Sequence, residues 1–86
     1  MFEFDEEKSK ANKEKHGINF VEAQKLWLDD DGYVEPSAFV DEIRYTLTAK
    51  YDGKLWTCAY TSRGDNVRII SVRRARDNEK EKYNKR

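Results

Sequence analysis

From Ile43 onward the sequence takes a period of two, and this constrains the fold more than any other feature. Tyr45, Leu47, Ala49 and Tyr51 fall on one side of an extended chain, while Arg44, Thr46, Thr48 and Lys50 fall on the other. Asp52-Gly53 is a tight-turn signal, after which Lys54 to Ser62 returns as a second strand. A second turn over Arg63-Gly64-Asp65-Asn66 leads into Val67-Arg68-Ile69-Ile70-Ser71-Val72-Arg73-Arg74, whose apolar residues lie on both faces and mark a central strand. Three strands joined by tight turns form an antiparallel meander.

The first half reads differently. Phe2-Glu3-Phe4 alternates like a short half-buried strand. Asp5 is a good N-cap for a helix over residues 6–16, with Glu6 and Glu7 at its positive end and Lys15, His16 and Gly17 at its stop. Ala11 is essentially its only apolar residue, so this helix is anchored weakly or by a partner. Asn19 caps a second helix from Phe20 to about Leu28, with Phe20, Ala23 and Trp27 on one stripe that Val21 and Leu28 broaden. Residues 32–42, with Pro36, read as a connection, and Ala75 to Arg86 reads as a short helix or a frayed tail. The expected fold is one α+β domain over residues 1–86: a small antiparallel sheet, two N-terminal helices on one face, and a short C-terminal helix or tail.

Seventeen basic and seventeen acidic residues cancel, which taken alone argues against a nucleic-acid partner. The total hides a split. Residues 1–43 carry twelve acids against five lysines, a charge of −7, and residues 44–86 carry twelve bases against five acids, a charge of +7. The acidic helices are expected to sit away from a basic face, with Arg68, Arg73 and Arg74 clear of Asp29, Asp30 and Asp31. No apolar run approaches the roughly 20 residues needed to cross a bilayer, and the acidic start Met1-Phe2-Glu3-Phe4-Asp5 is unlike a signal peptide, so a cytoplasmic, membrane-free protein is expected. The single cysteine, Cys58, excludes an internal disulfide and reads as a core residue. Asp29-Asp30-Asp31-Gly32 lacks the acids that a calcium loop requires, with Trp27 and Ala38 at those positions, so no metal site and no cofactor are expected.

Arg63, Arg68, Arg73, Arg74 and Arg76 stand against Asp65 alone over residues 63–76. Arginine grips phosphate with a planar fork of donors, so this strand, with Tyr60 and Tyr83, suits RNA; the alternative is that the side chains pair with the acidic half. Cleavage of a phosphodiester without a metal needs a proton acceptor, a proton donor, and cations for the developing charge. The arginines meet the third need. His16, Tyr83, Tyr60 and Glu79 are the proton-transfer candidates, His16 serving otherwise as a helix cap and Tyr83 as an anchor for the tail.

Phe2-Glu3-Phe4-Asp5, Lys8, Asn12, Lys15-His16-Gly17-Ile18, Phe20 and Glu22-Ala23 resemble the opening of the BrnT family of bacterial type II toxins. Arg44-Tyr45, Tyr60-Thr61, Arg63-Gly64, Arg68 to Ala75, Glu79 and Tyr83 resemble its second half, in order and at the family's spacing. The resemblance implies a RelE-like endoribonuclease that arrests growth and is neutralised by a BrnA antitoxin. That antitoxin carries a ribbon-helix-helix module through which the pair binds promoter DNA. It further implies Arg63, Arg68, Arg73 and Arg74 as phosphate-binding and transition-state-stabilising residues and Tyr83 as proton donor or acceptor. Beside them, Lys50, Lys54, Tyr60 and His16 are expected to contact RNA. Strict alternation sets Arg68 and Arg74 on one face of their strand and Arg73 on the other.

Two functions follow from these residues. One is a metal-independent endoribonuclease toxin that attacks through the ribose 2′-hydroxyl. The other is a non-catalytic module that grips RNA or an acidic protein with its basic half.

Overall fold

The computed structural model describes residues 1–37 and 42–85. Strand β1 (Phe2–Glu3) is followed by helix α1 (Glu6–His16), the short helix α2 (Phe20–Ala23) and a 3-10 helix (Gln24–Leu28). Strands β2 (Tyr33–Ser37), β3 (Arg44–Tyr51), β4 (Lys54–Arg63) and β5 (Asn66–Arg74) come next, and helix α3 (Asp77–Asn84) closes the chain. They build an α+β domain on one five-stranded sheet in the order β1-β5-β4-β3-β2, antiparallel except where β1 runs parallel to β5. The β3–β4 turn uses positive φ at both Asp52 and Gly53, whose twist matches the hairpin it joins.

The segment read as a connection contains a fifth strand. Tyr33–Ser37 pairs antiparallel with Arg44–Thr48 along the sheet edge, where Pro36 is tolerated because its missing N–H faces no neighbour. Positions 38–41 of that segment lie outside the described residues. Strand β5 is also less central than its sequence implies, since β1 pairs with Val67 and Arg68 alone among its residues.

Helix α1 keeps the expected bounds, with the Asp5 carboxylate accepting from the Glu7 and Lys8 N–H groups and Gly17 closing it at φ 83°. Its anchor is not Ala11, which is exposed, but two buried polar residues. The Asn12 side chain donates to the Ile18 and Val72 carbonyls, both at 2.8 Å, and accepts from the Val72 N–H at 3.3 Å. Ser9 Oγ accepts from the Phe20 N–H at 2.9 Å. Asn12 thus satisfies the edge of β5 that β1 leaves uncovered.

The second helix tightens after Ala23, so its buried residues are Phe20, Ala23 and Leu26 at intervals of three. Three residues per turn is the 3-10 period. That rotation buries Leu26 completely, leaves Val21 and Leu28 exposed instead of broadening the stripe, and holds Trp27 half-buried against Phe2 and Tyr60. Ile18, Phe20, Ala23 and Leu26 close over Leu47, Ala49, Trp56, Cys58, Tyr60, Ile69 and Val72 to form the core on one face of the sheet.

Candidate nucleic-acid interface

The other face of the sheet is polar, and one irregularity decides which arginines it carries. From Trp56↔Arg74 to Ala59↔Ser71 the β4–β5 register is regular, but the next partners are Tyr60↔Ile69 and Thr61↔Arg68. Strand β5 therefore holds one extra residue, a β-bulge at Ile70. The bulge reverses the alternation. Arg68 shares the polar face with Arg73, and Arg74 lies on the core face, where its guanidinium stands 5.5 Å over the Trp56 ring. The pairing of Arg68 with Arg74 expected from alternation is thereby corrected.

Arg44, Thr61 and Arg68 are directly opposite one another on β3, β4 and β5. At about 4.8 Å per strand the two arginines straddle Thr61 across about 10 Å of sheet. Thr61 Oγ1 donates to the Ile43 carbonyl at 2.8 Å, which fixes the start of β3 beside Arg44. Arg63 follows Thr61 on the same face of β4, and all three arginines line a cavity of about 230 Å³ with Lys8, Asp5 and Glu42. Four cationic side chains meet two anionic ones there. The N-terminal end of α1 closes the same cavity through Asp5 and Lys8, adding the positive end of a helix dipole.

Arg63 and Arg68 keep donors for a ligand. Arg68 meets Glu3 at 3.4 Å, at the long limit of a hydrogen bond, and Arg44 Nε stands 3.5 Å from Glu42. Arg63 is exposed and has no ion pair among the described residues. Asp29 lies against the Lys50 end of β3, about 20 Å along the strand from Arg44. The acidic run is thus remote from the cavity, although Glu3, Asp5 and Glu42 of the acidic half border it.

Farther along the same face, α3 covers the sheet through polar contacts. Arg73 donates to both oxygens of Glu79, at 2.8 and 3.0 Å, and Thr57 Oγ1 and the Arg76 N–H donate to the same carboxylate at 3.0 and 2.8 Å. Since the Thr57 proton goes to Glu79, Thr48 Oγ1 donates to Thr57 at 2.8 Å. Burial pushes the Glu79 carboxyl up, but the hydrogen bonds from Arg73, Arg76 and Thr57 and the guanidinium charge outweigh it and hold it at about 2. Such a group is a poor proton acceptor. Tyr33, buried beneath α3, donates through its hydroxyl to the Glu79 carbonyl at 2.9 Å.

Tyr83 is aimed at an acid, not at the arginines. Its hydroxyl donates to Asp29 Oδ2 at 2.7 Å, and burial, that hydrogen bond and the charges of Asp29 and Asp31 push it up to about 12. This geometry makes it the anchor of the tail. Tyr60 lies in the core, stacked on Tyr45 at 5.6 Å, and burial raises its hydroxyl as well. Lys50 and Lys54 are exposed at the far end of the β3–β4 hairpin. His16 ends α1 and lines a second hollow.

Of the candidate site residues named from the sequence, the cavity gathers Arg63 and Arg68 and none of the others. Lys8 and Arg44, which carry the family resemblance but were given no site role, and Glu42 join them; the alternation of β3 puts Arg44 on the polar face, but only the cross-strand register brings it to Arg68. Burial pushes the Cys58 thiol up, consistent with a core residue. Among the described residues no group of three His, Cys, Asp or Glu side chains is placed to hold a metal ion, and no helix is long and apolar enough to cross a membrane.

A family model described as "Ribonuclease toxin, BrnT, of type II toxin-antitoxin system" matches residues 4–79. No curated protein matches the chain.

Proposed function

The chain belongs to the BrnT family of ribonuclease toxins of type II toxin-antitoxin systems, and on that premise we propose that it cuts RNA, without a metal ion, at the cavity lined by Arg44, Arg63 and Arg68. The observation that carries this reading is the bulge at Ile70, which puts Arg68 on the face of Arg44 and Arg63. Guanidiniums fixed at strand ends supply positive charge where the pentavalent phosphorus develops negative charge, and a preorganised donor of this kind is worth about 10²–10³ in rate.

In the proposed reaction a ribose 2′-oxygen attacks the adjacent phosphorus and the bond to the 5′-oxygen breaks. The products are a 2′,3′-cyclic phosphate and a 5′-hydroxyl. Two carboxylates line the cavity. Asp5 spends Oδ1 on two backbone N–H groups of α1, so Glu42 is assigned as acceptor of the 2′-hydroxyl proton and Lys8 as donor to the 5′-oxygen.

A type II toxin has an antitoxin. For this chain we place in that role a BrnA-type ribbon-helix-helix protein, with promoter DNA bound only by the pair, and the cytoplasm as the compartment. Incubation of the folded, antitoxin-free protein with RNA in EDTA tests the reading. Cyclic-phosphate and 5′-hydroxyl ends are expected; RNA left at full length removes it in favour of a module that binds without cutting.

A further inference from the structure

The arginine cavity does not end at Lys8. A second hollow, of about 240 Å³, is lined by Lys8, Ala11, Lys15, His16, Ile70 and Ser71 among others, and it shares Lys8 and Ile70 with the arginine cavity. The two form one groove between α1 and the edge of β5 that β1 leaves uncovered. Lys8, Ala11 and Lys15 fall on one face of α1, and from Lys8 to Lys15 the groove extends about 10 Å along the helix axis.

Its chemistry differs from the rest of the acidic half. The second hollow has two lysines and a histidine in its wall and no carboxylate, whereas in the hollow on the opposite side of α1 Glu6 and Glu14 offset Lys10 and Lys13. Ala11, exposed and small, leaves room between the lysines. Half-buried Ile70 gives an apolar floor, and exposed Ser71 offers a hydroxyl. Spaced cations over a narrow apolar floor suit a sugar-phosphate strand with its bases lying against the wall.

We propose that this groove is a second RNA subsite, which holds the strand flanking the phosphate in the arginine cavity, with Lys8 at the junction and Lys15 and His16 on a phosphate farther along. The inference rests on the ribonuclease reading for the identity of its ligand. It makes α1 part of the RNA surface, and it explains why a helix with almost no apolar residues is held rigidly against β5 by Asn12.

The test uses the full chain and fully 2′-O-methylated RNA, which lacks the attacking hydroxyl. Oligonucleotides of about three and about ten nucleotides are titrated by fluorescence anisotropy at several salt concentrations; the longer is expected to bind about tenfold tighter with a steeper salt slope. In Lys15→Ala/His16→Ala that gain should fall to about twofold or less. Ala11→Glu, a substitution by a good helix former at an exposed site, should do the same without loss of fold, checked by circular dichroism. Wild-type protein that gains nothing with length, or folded variants that keep the full gain, would overturn the groove. A protein that cuts ordinary RNA while both variants keep the gain leaves the ribonuclease reading standing and removes the subsite. A protein that cuts no RNA but shows a length-dependent gain that both folded variants lose does the reverse.

Discussion

Asn12 and Val72 exchange hydrogen bonds across the open edge of β5, the carboxamide donating to the Val72 carbonyl at 2.8 Å and accepting from its N–H at 3.3 Å. One side chain thus does for this stretch of β5 what a neighbouring strand does elsewhere in the sheet. Replacement by leucine leaves both backbone groups buried without partners, and each such group costs about 1–3 kcal/mol. Asn12→Leu should therefore lower the urea-unfolding free energy by about 2–4 kcal/mol, and Asn12→Asp, which removes both donated bonds, by a similar amount. A loss below about 0.5 kcal/mol in both variants would show that α1 is held by something else.

Glu79 governs the acid stability of the polar face. Its folded-state carboxyl, at about 2, lies below the ordinary 4.5 of a glutamate. The stability it contributes is full above the unfolded value and is lost as pH falls from about 4.5 towards about 2. Glu79→Gln leaves the Arg73 guanidinium beneath α3 without its counter-charge and should be destabilised by about 1–3 kcal/mol at pH 7. The gap between wild type and this variant should close on acidification through that window. A gap that stays constant from pH 7 to pH 2.5, measured by chemical denaturation, would contradict the assignment.

The shortest of the side-chain bonds that tie the tail to the body runs from Tyr83 to Asp29, at 2.7 Å. Tyr83→Phe and Asp29→Asn should each lower the thermal midpoint, and the double variant should lower it by less than their sum, with a coupling of about 1 kcal/mol. Full additivity would place Tyr83 elsewhere.

Local signals made much of this fold legible. Asp5 and Gly17 bracket α1 because a carboxylate suits free N–H groups and a glycine suits positive φ, and the Asp52-Gly53 turn follows from the same backbone rules. What escaped was set by tertiary neighbours. Ser9 and Asn12 are buried only because the Phe20 N–H and the Val72 edge need partners, which no helical periodicity records. Tyr33–Ser37 alternates weakly and carries Pro36, so only its pairing with β3 makes it a strand. The same holds for the candidate site. Ile69-Ile70-Ser71-Val72 is compatible with a regular or a bulged strand, and that one-residue choice settles whether Arg68 faces Arg44 or shares a side with Arg74.

That choice is also the most direct way to test the account. Initial rates of RNA cleavage in EDTA should fall about 10²–10³-fold in Arg68→Ala and in Arg44→Ala, while Arg74→Ala, whose side chain lies over Trp56 on the core face, stays within a few-fold of wild type. An Arg74→Ala protein as slow as Arg68→Ala, beside an Arg44→Ala protein of wild-type rate, would contradict the assignment of the cavity.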